Sequence, residues 1–147
     1  MRKTALRKTS KAPISKLKAK LWKVFSEYIR KRDGGICFTC GRKAEGSGYH
    51  AGHFISKSVG GIVLYFHPEN VRGQCYNCNI NLGGNSYIFG QKLGEKKVKE
   101  LYALKNGPPQ KWDVARYEFE IAWYKNLLEE IESVDNSLDP IHKRATD

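Results

Sequence analysis

The strongest constraint on this chain comes from its four cysteines, arranged as Cys37-Phe38-Thr39-Cys40 and Cys75-Tyr76-Asn77-Cys78. Each pair is a tight turn that presents two sulfurs on one side. Two such turns supply the four thiolates that tetrahedral Zn²⁺ takes. A redox pair is the competing use of a CxxC motif, but two matched pairs favour a metal. The 34 residues between the pairs exceed a simple ribbon and leave room for a hairpin inserted between two knuckles. A site closed by four sulfurs has no open position, so this zinc is expected to be structural. A chain of 147 residues with 40% hydrophobic content can bury only a modest core, which such a staple would reinforce.

The net charge of +11 points to a polyanionic partner, and its distribution is sharper than its sum. Residues 1–43 carry 14 Lys and Arg against Glu27 and Asp33, whereas residues 44–147 are close to neutral. The positions expected to meet nucleic acid are Arg2, Lys3, Arg7, Lys8 and Lys11 in the arm, then Lys16, Lys20 and Lys23, and Arg72 near the central module. A solubility tail or a targeting address is the bland use of such a run, and solvated surface charge is the expectation for Lys57. The longest purely apolar run, residues 62–66, is far too short to span a bilayer. No apolar segment follows the basic N-terminus, so a reducing cytoplasm is the expected compartment.

Read in order, residues 1–14 form a basic arm, 15–133 one zinc-containing domain with its core at about 36–94, and 134–147 a polar tail. Ser15 is expected to cap a helix whose apolar stripe is Leu17, Leu21, Val24, Phe25 and Tyr28. Asp33-Gly34-Gly35 ends it. Residues 49–56 and 62–66 are expected to pair as strands across a Val59-Gly60-Gly61 turn, with a short helix starting near Asn79. Helices follow over residues 86–93, 95–105 and 113–133, the last capped by Asp113 and carrying two apolar stripes. Those stripes can pack on the first helix or form a homodimer. The expected class is α+β: a zinc-stapled ββα core flanked by helices.

His53 is the residue on which chemistry can turn. A lone strand histidine is more often structural, but this one lies between metal knuckles and beside Gly52, which allows close approach of a backbone or phosphate. A neutral imidazole can take a proton from water, and that water could attack a phosphodiester beside a hard cation.

The order CxxC, His53, Asn70, CxxC-Asn79 resembles the HNH (ββα-metal, or His-Me finger) nucleases, and among them the recombination endonuclease VII type. Residues 25–33, Ala51-Gly52-His53, Glu69-Asn70-Val71, Gln74-Cys75, Cys78-Asn79 and Gly84-Asn85 are similar in order and spacing to the lambdoid NinG/Rap recombination proteins. The resemblance covers residues 20–105. It implies a phage- or prophage-encoded endonuclease selective for branched DNA such as Holliday junctions and D-loops. It implies His53 as general base, Asn79 as ligand of a catalytic Mg²⁺ or Mn²⁺, Asn70 as the steadying asparagine, and Cys37, Cys40, Cys75 and Cys78 as zinc ligands. One departure stands out. The usual Asp directly before the histidine is Gly52, and an Asp expected three residues before it is His50. His50 lies on the same side of a strand as Gly52 and could supply a ligand, which would favour Mn²⁺, Zn²⁺ or Ni²⁺ over Mg²⁺. Glu45 or Glu69 could do so instead. The same departure supports an alternative, a non-catalytic zinc-finger DNA-binding recombination accessory protein. A ribosome-associated RNA-binding module fits the charge but leaves His53 and Asn79 without a role.

Overall fold

The computed structural model describes residues 13–138. Helix α1 (Ile14–Asp33) begins at Pro13, whose ring presets the entry and whose carbonyl accepts the first N–H groups, so the expected Ser15 cap is not used. It ends at Gly34 in the left-handed conformation, as Asp33-Gly34-Gly35 predicts. Strands β1 (Tyr49–His53) and β2 (Val71–Cys75) form an antiparallel pair with Tyr49 opposite Cys75 and His53 opposite Val71.

This pairing corrects the expected hairpin. Residues 62–66 are not its second strand; they lie mostly in helix α2 (Lys57–Tyr65), which is kinked where Gly61 takes a φ of 70°. The apolar run that reads as a strand instead packs helically, with Leu64 in the core and Ile62 and Tyr65 at its margin. The residues that do pair, Val71-Arg72-Gly73-Gln74-Cys75, look less strand-like in isolation, because Gly73 leaves room for Tyr49 and Gln74 is buried. The chain order is therefore strand, helix, strand and helical turn, with α2 between the paired strands. After β2 a single π-helical turn (Asn77–Asn81) stands where a short α-helix was expected. Helices α3 (Ser86–Leu93), α4 (Glu95–Asn106) and α5 (Val114–Leu138) follow. Asp113 Oδ1 accepts the N–H of Arg116 at 2.8 Å, the expected cap, and α5 continues to Leu138 through the first part of the expected polar tail.

Two apolar clusters flank the hairpin. Leu17, Leu21, Phe25 and Ile29 of α1 meet Ala51 and Val71 of the strands, Phe66, and Tyr117, Ile121 and Tyr124 of α5. One stripe of α5 thus folds onto α1, and Phe25 meets Tyr124 edge to face at 4.8 Å. Ile55, Leu64, Phe89, Leu93 and Leu101 form the second cluster. Fully burying side chains of this size is worth about 1.5–3 kcal/mol each, so the first cluster anchors the strand pair on α1 and α5 while the second joins α3 and α4 to α2 and the chain leaving β1. Phe119 and Trp123 of α5 stack on each other, exposed, on its other stripe. Among the described residues no helix is long and apolar enough to cross a membrane.

Candidate metal centre and its neighbouring pocket

The four cysteine sulfurs lie within 4.8 Å of one another. Tetrahedral Zn–S bonds of about 2.3 Å place sulfurs somewhat under 4 Å apart, and Cys40 Sγ and Cys75 Sγ are 3.7 Å apart. Burial pushes the Cys37 thiol up, but Thr39 Oγ1 at 3.3 Å and nearby backbone N–H groups outweigh this and bring it down to about 6. Cys40 is pushed up to about 12 by burial and by the sulfurs around it. Crowded thiols of this kind are what a bound cation relieves. Asn85, in the left-handed conformation, sends Nδ2 to Cys78 Sγ at 3.7 Å, so it is both a turn residue and a partner of a sulfur. The first knuckle also docks on the sheet, Phe38 N–H donating to Gly73 O at 2.8 Å. The four-cysteine cluster therefore ties β2 and the Asn77–Asn81 turn to the chain that follows α1.

The two faces of the hairpin carry different parts of the site. Ala51 and His53 share one face with Val71, whereas His50 and Gly52 share the other with Gln74. His53 and Asn79 nevertheless line one open pocket of about 340 Å³, with Ser56, Lys57, Ser58, Gly83 and Gly84. Gly84 makes this possible: it crosses the end of β1 with a φ of 93°, and a Cβ there would come within 3.3 Å of His53 O.

His53 is largely buried, stacked on Trp22 at 5.4 Å and edge-on to Tyr65. Its Nε2 lies 2.9 Å from Tyr65 O. A carbonyl only accepts, so Nε2 carries the proton and Nδ1 is the bare nitrogen of the neutral ring. Burial lowers its pKa to about 4, with the Lys57 charge acting in the same direction, so the ring is neutral at pH 7.

Asn79 is held by His50. Its Nδ2 lies 2.9 Å from His50 Nδ1, while His50 Nε2 meets Ser47 O at 2.9 Å. The Ser47 carbonyl assigns the proton to Nε2, so Nδ1 accepts from Asn79. Both nitrogens of His50 are therefore engaged, and the ring acts as an orienter of the Asn79 amide, with Tyr76 edge-on beside it. Asn79 Oδ1 is thereby turned toward Gly52.

Asn70 is fully buried and does not line the pocket. Its Oδ1 accepts Ile55 N–H at 2.8 Å, and its Nδ2 donates to Ile55 O and Leu64 O at 3.0 and 2.9 Å. It clamps the chain leaving His53 to the last turn of α2. Glu69 is turned to Arg72 and Lys97, and Glu45 lies beside Gly34–Ile36 and Lys43, so neither carboxylate lines the pocket.

The basic residues divide. Arg2, Lys3, Arg7, Lys8 and Lys11 lie outside the described residues. Lys16, Lys20 and Lys23 are exposed on the side of α1 turned away from Lys18 and Trp22. The guanidinium of Arg72 is committed within the protein, to Glu69 at 3.1 Å, toward Asp33 at 3.8 Å and over the Phe38 ring. Two residues carry more than their sequence signals suggest. Lys57 is exposed, but its ammonium sits 4.4 Å over the Trp22 ring at the pocket wall, and Lys18 sits 4.4 Å over Tyr65. Asp33, a lone acid ending a basic run, accepts Gly73 N–H at 2.7 Å and pairs with Arg32.

These features define a small α+β protein built on a four-cysteine cluster able to bind a metal such as zinc, with an imidazole and an amide sharing one pocket. The chain belongs to the family described as Bacteriophage Lambda NinG protein, which matches residues 1–134. No curated protein and no solved structure matches it.

Proposed function

We infer that this protein is a metal-dependent endonuclease acting on branched DNA in phage recombination, with an HNH-like site. The observation that carries the reading is His53: a neutral ring with its proton on Nε2 and Nδ1 bare, lining the same pocket as Asn79. Family membership supports the recombination setting. Asn79 Oδ1 fits a hard divalent cation, since it is an amide oxygen whose orientation is fixed by the hydrogen bond of its own amide nitrogen to His50. Mg²⁺ or Mn²⁺ held there would supply Lewis-acid stabilisation of charge on the phosphate. The residues do the rest. His53 Nδ1 takes the proton of an attacking water, and Tyr65 O keeps the tautomer fixed. A bound phosphodiester brings negative charge to His53 and raises its pKa toward the working range. Lys57 faces the phosphate as a point charge. Zinc on the four cysteines would hold β2 and the Asn77–Asn81 turn to the chain that follows α1.

The second reading, a non-catalytic DNA-binding accessory protein, is favoured by one observation: no carboxylate lines the pocket among the described residues. A labelled four-way junction and a linear duplex of the same sequence separate the two. The nuclease reading expects junction cutting with Mg²⁺ or Mn²⁺ by the zinc-loaded protein, and about a 10²–10⁴-fold loss in His53→Ala. Junction binding without cutting under either metal favours the accessory protein.

A further inference from the structure

We propose that Gln74 is a second ligand of the catalytic cation, its Oε1 and Asn79 Oδ1 forming an oxygen pair beside Gly52. This rests on the reading of the pocket as a divalent-metal site, and it names a ligand on β2 that the usual carboxylate pattern does not supply.

Gln74 is fully buried, and its amide is fixed. Nε2 donates to Gly84 O at 2.8 Å and to Thr39 Oγ1 at 3.1 Å. Gly84 O can only accept, so the orientation of the amide follows and Oε1 must point the other way. That oxygen is buried with no hydrogen-bond partner. A buried acceptor left unpaired is costly and rare, and it calls for a ligand, an ion or a water. Oε1 points into the space beside Gly52. A Cβ at residue 52 would overlap Oε1, and would come within 2.8 Å of Gln74 Cδ and 2.9 Å of Asn79 Oδ1. Two amide oxygens thus lie beside Gly52, with Gln74 Nε2 donating to Gly84 O and Thr39 Oγ1 and Asn79 Nδ2 to His50 Nδ1. Neither oxygen can donate to the other, so a cation between them would satisfy both.

This arrangement accounts for Gly52. The hollow that an aspartate would fill from β1 is filled from β2 by the side chain opposite His50. It also sets the character of the site. Two neutral oxygens bind Mg²⁺ or Mn²⁺ weakly, because affinity rises with ligand charge. DNA phosphate supplies the missing anionic ligand, so the cation is held well only together with the substrate. A free enzyme that holds no metal tightly is then inert until a strand is in place.

The test is Mg²⁺ titration of zinc-loaded, ¹³C,¹⁵N-labelled wild-type protein, with and without a phosphorothioate four-way junction, reading side-chain carboxamide ¹³C NMR signals, which shift on direct ligation of the oxygen. The expected result is that Gln74 ¹³Cδ and Asn79 ¹³Cγ shift together, at far lower Mg²⁺ when DNA is present. In Gln74→Met, Mn²⁺ affinity measured by electron paramagnetic resonance in the DNA complex falls by about tenfold or more. A Gln74 ¹³Cδ signal that does not move while Asn79 ¹³Cγ shifts overturns the pair, and so does a Gln74→Met protein of unchanged Mn²⁺ affinity. If Gln74→Met does not fold, the wild-type titration decides alone. Paired shifts without DNA cutting keep this site and remove the nuclease reading. DNA cutting with an unmoved Gln74 ¹³Cδ signal keeps the nuclease and removes this site.

Discussion

Replacing Gly52 by alanine should destabilise the protein, against the ordinary preference of a strand. In a β-strand interior, Gly→Ala on its own favours folding by about 0.5–1 kcal/mol. Here the added methyl overlaps Gln74 Oε1 and crowds Cδ, and β1 cannot retreat because it is paired residue for residue with β2. Gln74 must therefore swing away and give up its hydrogen bonds to Gly84 O and Thr39 Oγ1. Two such bonds are worth about 2 kcal/mol together, and leaving the buried Gly84 carbonyl unpaired adds about 1–3 kcal/mol. Set against the strand preference, the net loss is about 2–4 kcal/mol. Urea unfolding of zinc-saturated protein reads it as a lower midpoint at unchanged slope. The double variant Gly52→Ala/Gln74→Ala supplies the control: with the overlap gone, the methyl keeps only its strand preference, and the two changes should fall short of additive by about 3–5 kcal/mol. A Gly52→Ala protein as stable as wild type, or more so, refutes the reasoning, as does strict additivity.

Asp33→Asn should cost about 3 kcal/mol in the same assay, because it removes the charge that Arg32 pairs with and weakens the acceptor of Gly73 N–H. Stability should also fall with acidity. The folded protein holds His53 at about 4 against the ordinary 6.5, so between those values the unfolded chain binds a proton that the folded one refuses. The stabilisation present above pH 6.5 is lost as pH drops toward 4, by up to about 3 kcal/mol, and urea midpoints of His53→Asn should show a correspondingly flatter slope. Lys57→Met should lower the slope of log affinity for DNA against log salt by about 0.9 if its ammonium meets a phosphate, and leave the slope unchanged if it does not.

The four-cysteine cluster was legible because two matched CxxC turns have one economical use, and the structure does bring their sulfurs together. Leu17, Leu21 and Phe25 were legible for a similar reason, since a stripe three and four residues apart has one economical use. The hairpin was legible only by half. Residues 62–66 carry the apolar, branched character of a strand, while Arg72, Gly73 and Gln74 do not. What decides the matter is tertiary: Gly73 lets Tyr49 lie across it, and Gln74 fills the gap at Gly52. Contacts of that kind depend on register, and a single sequence does not display register. Arg72 shows the same limit, because its charge is visible in the sequence but its commitment to Glu69 and Asp33 is not. The pairing of His50 with Asn79 needs the Asn77–Asn81 turn to be brought beside β1 before either residue has a meaning.

The central claim is that the bare nitrogen of His53 accepts a proton from the water that cuts DNA. Single-turnover cleavage of a four-way junction by zinc-loaded His53→Ala, with and without added imidazole, tests it most directly. The account predicts a rate lowered by about 10² or more, partly restored by imidazole but not by a non-basic buffer of the same size. Cutting by His53→Ala at the wild-type rate, with no response to imidazole, would contradict it.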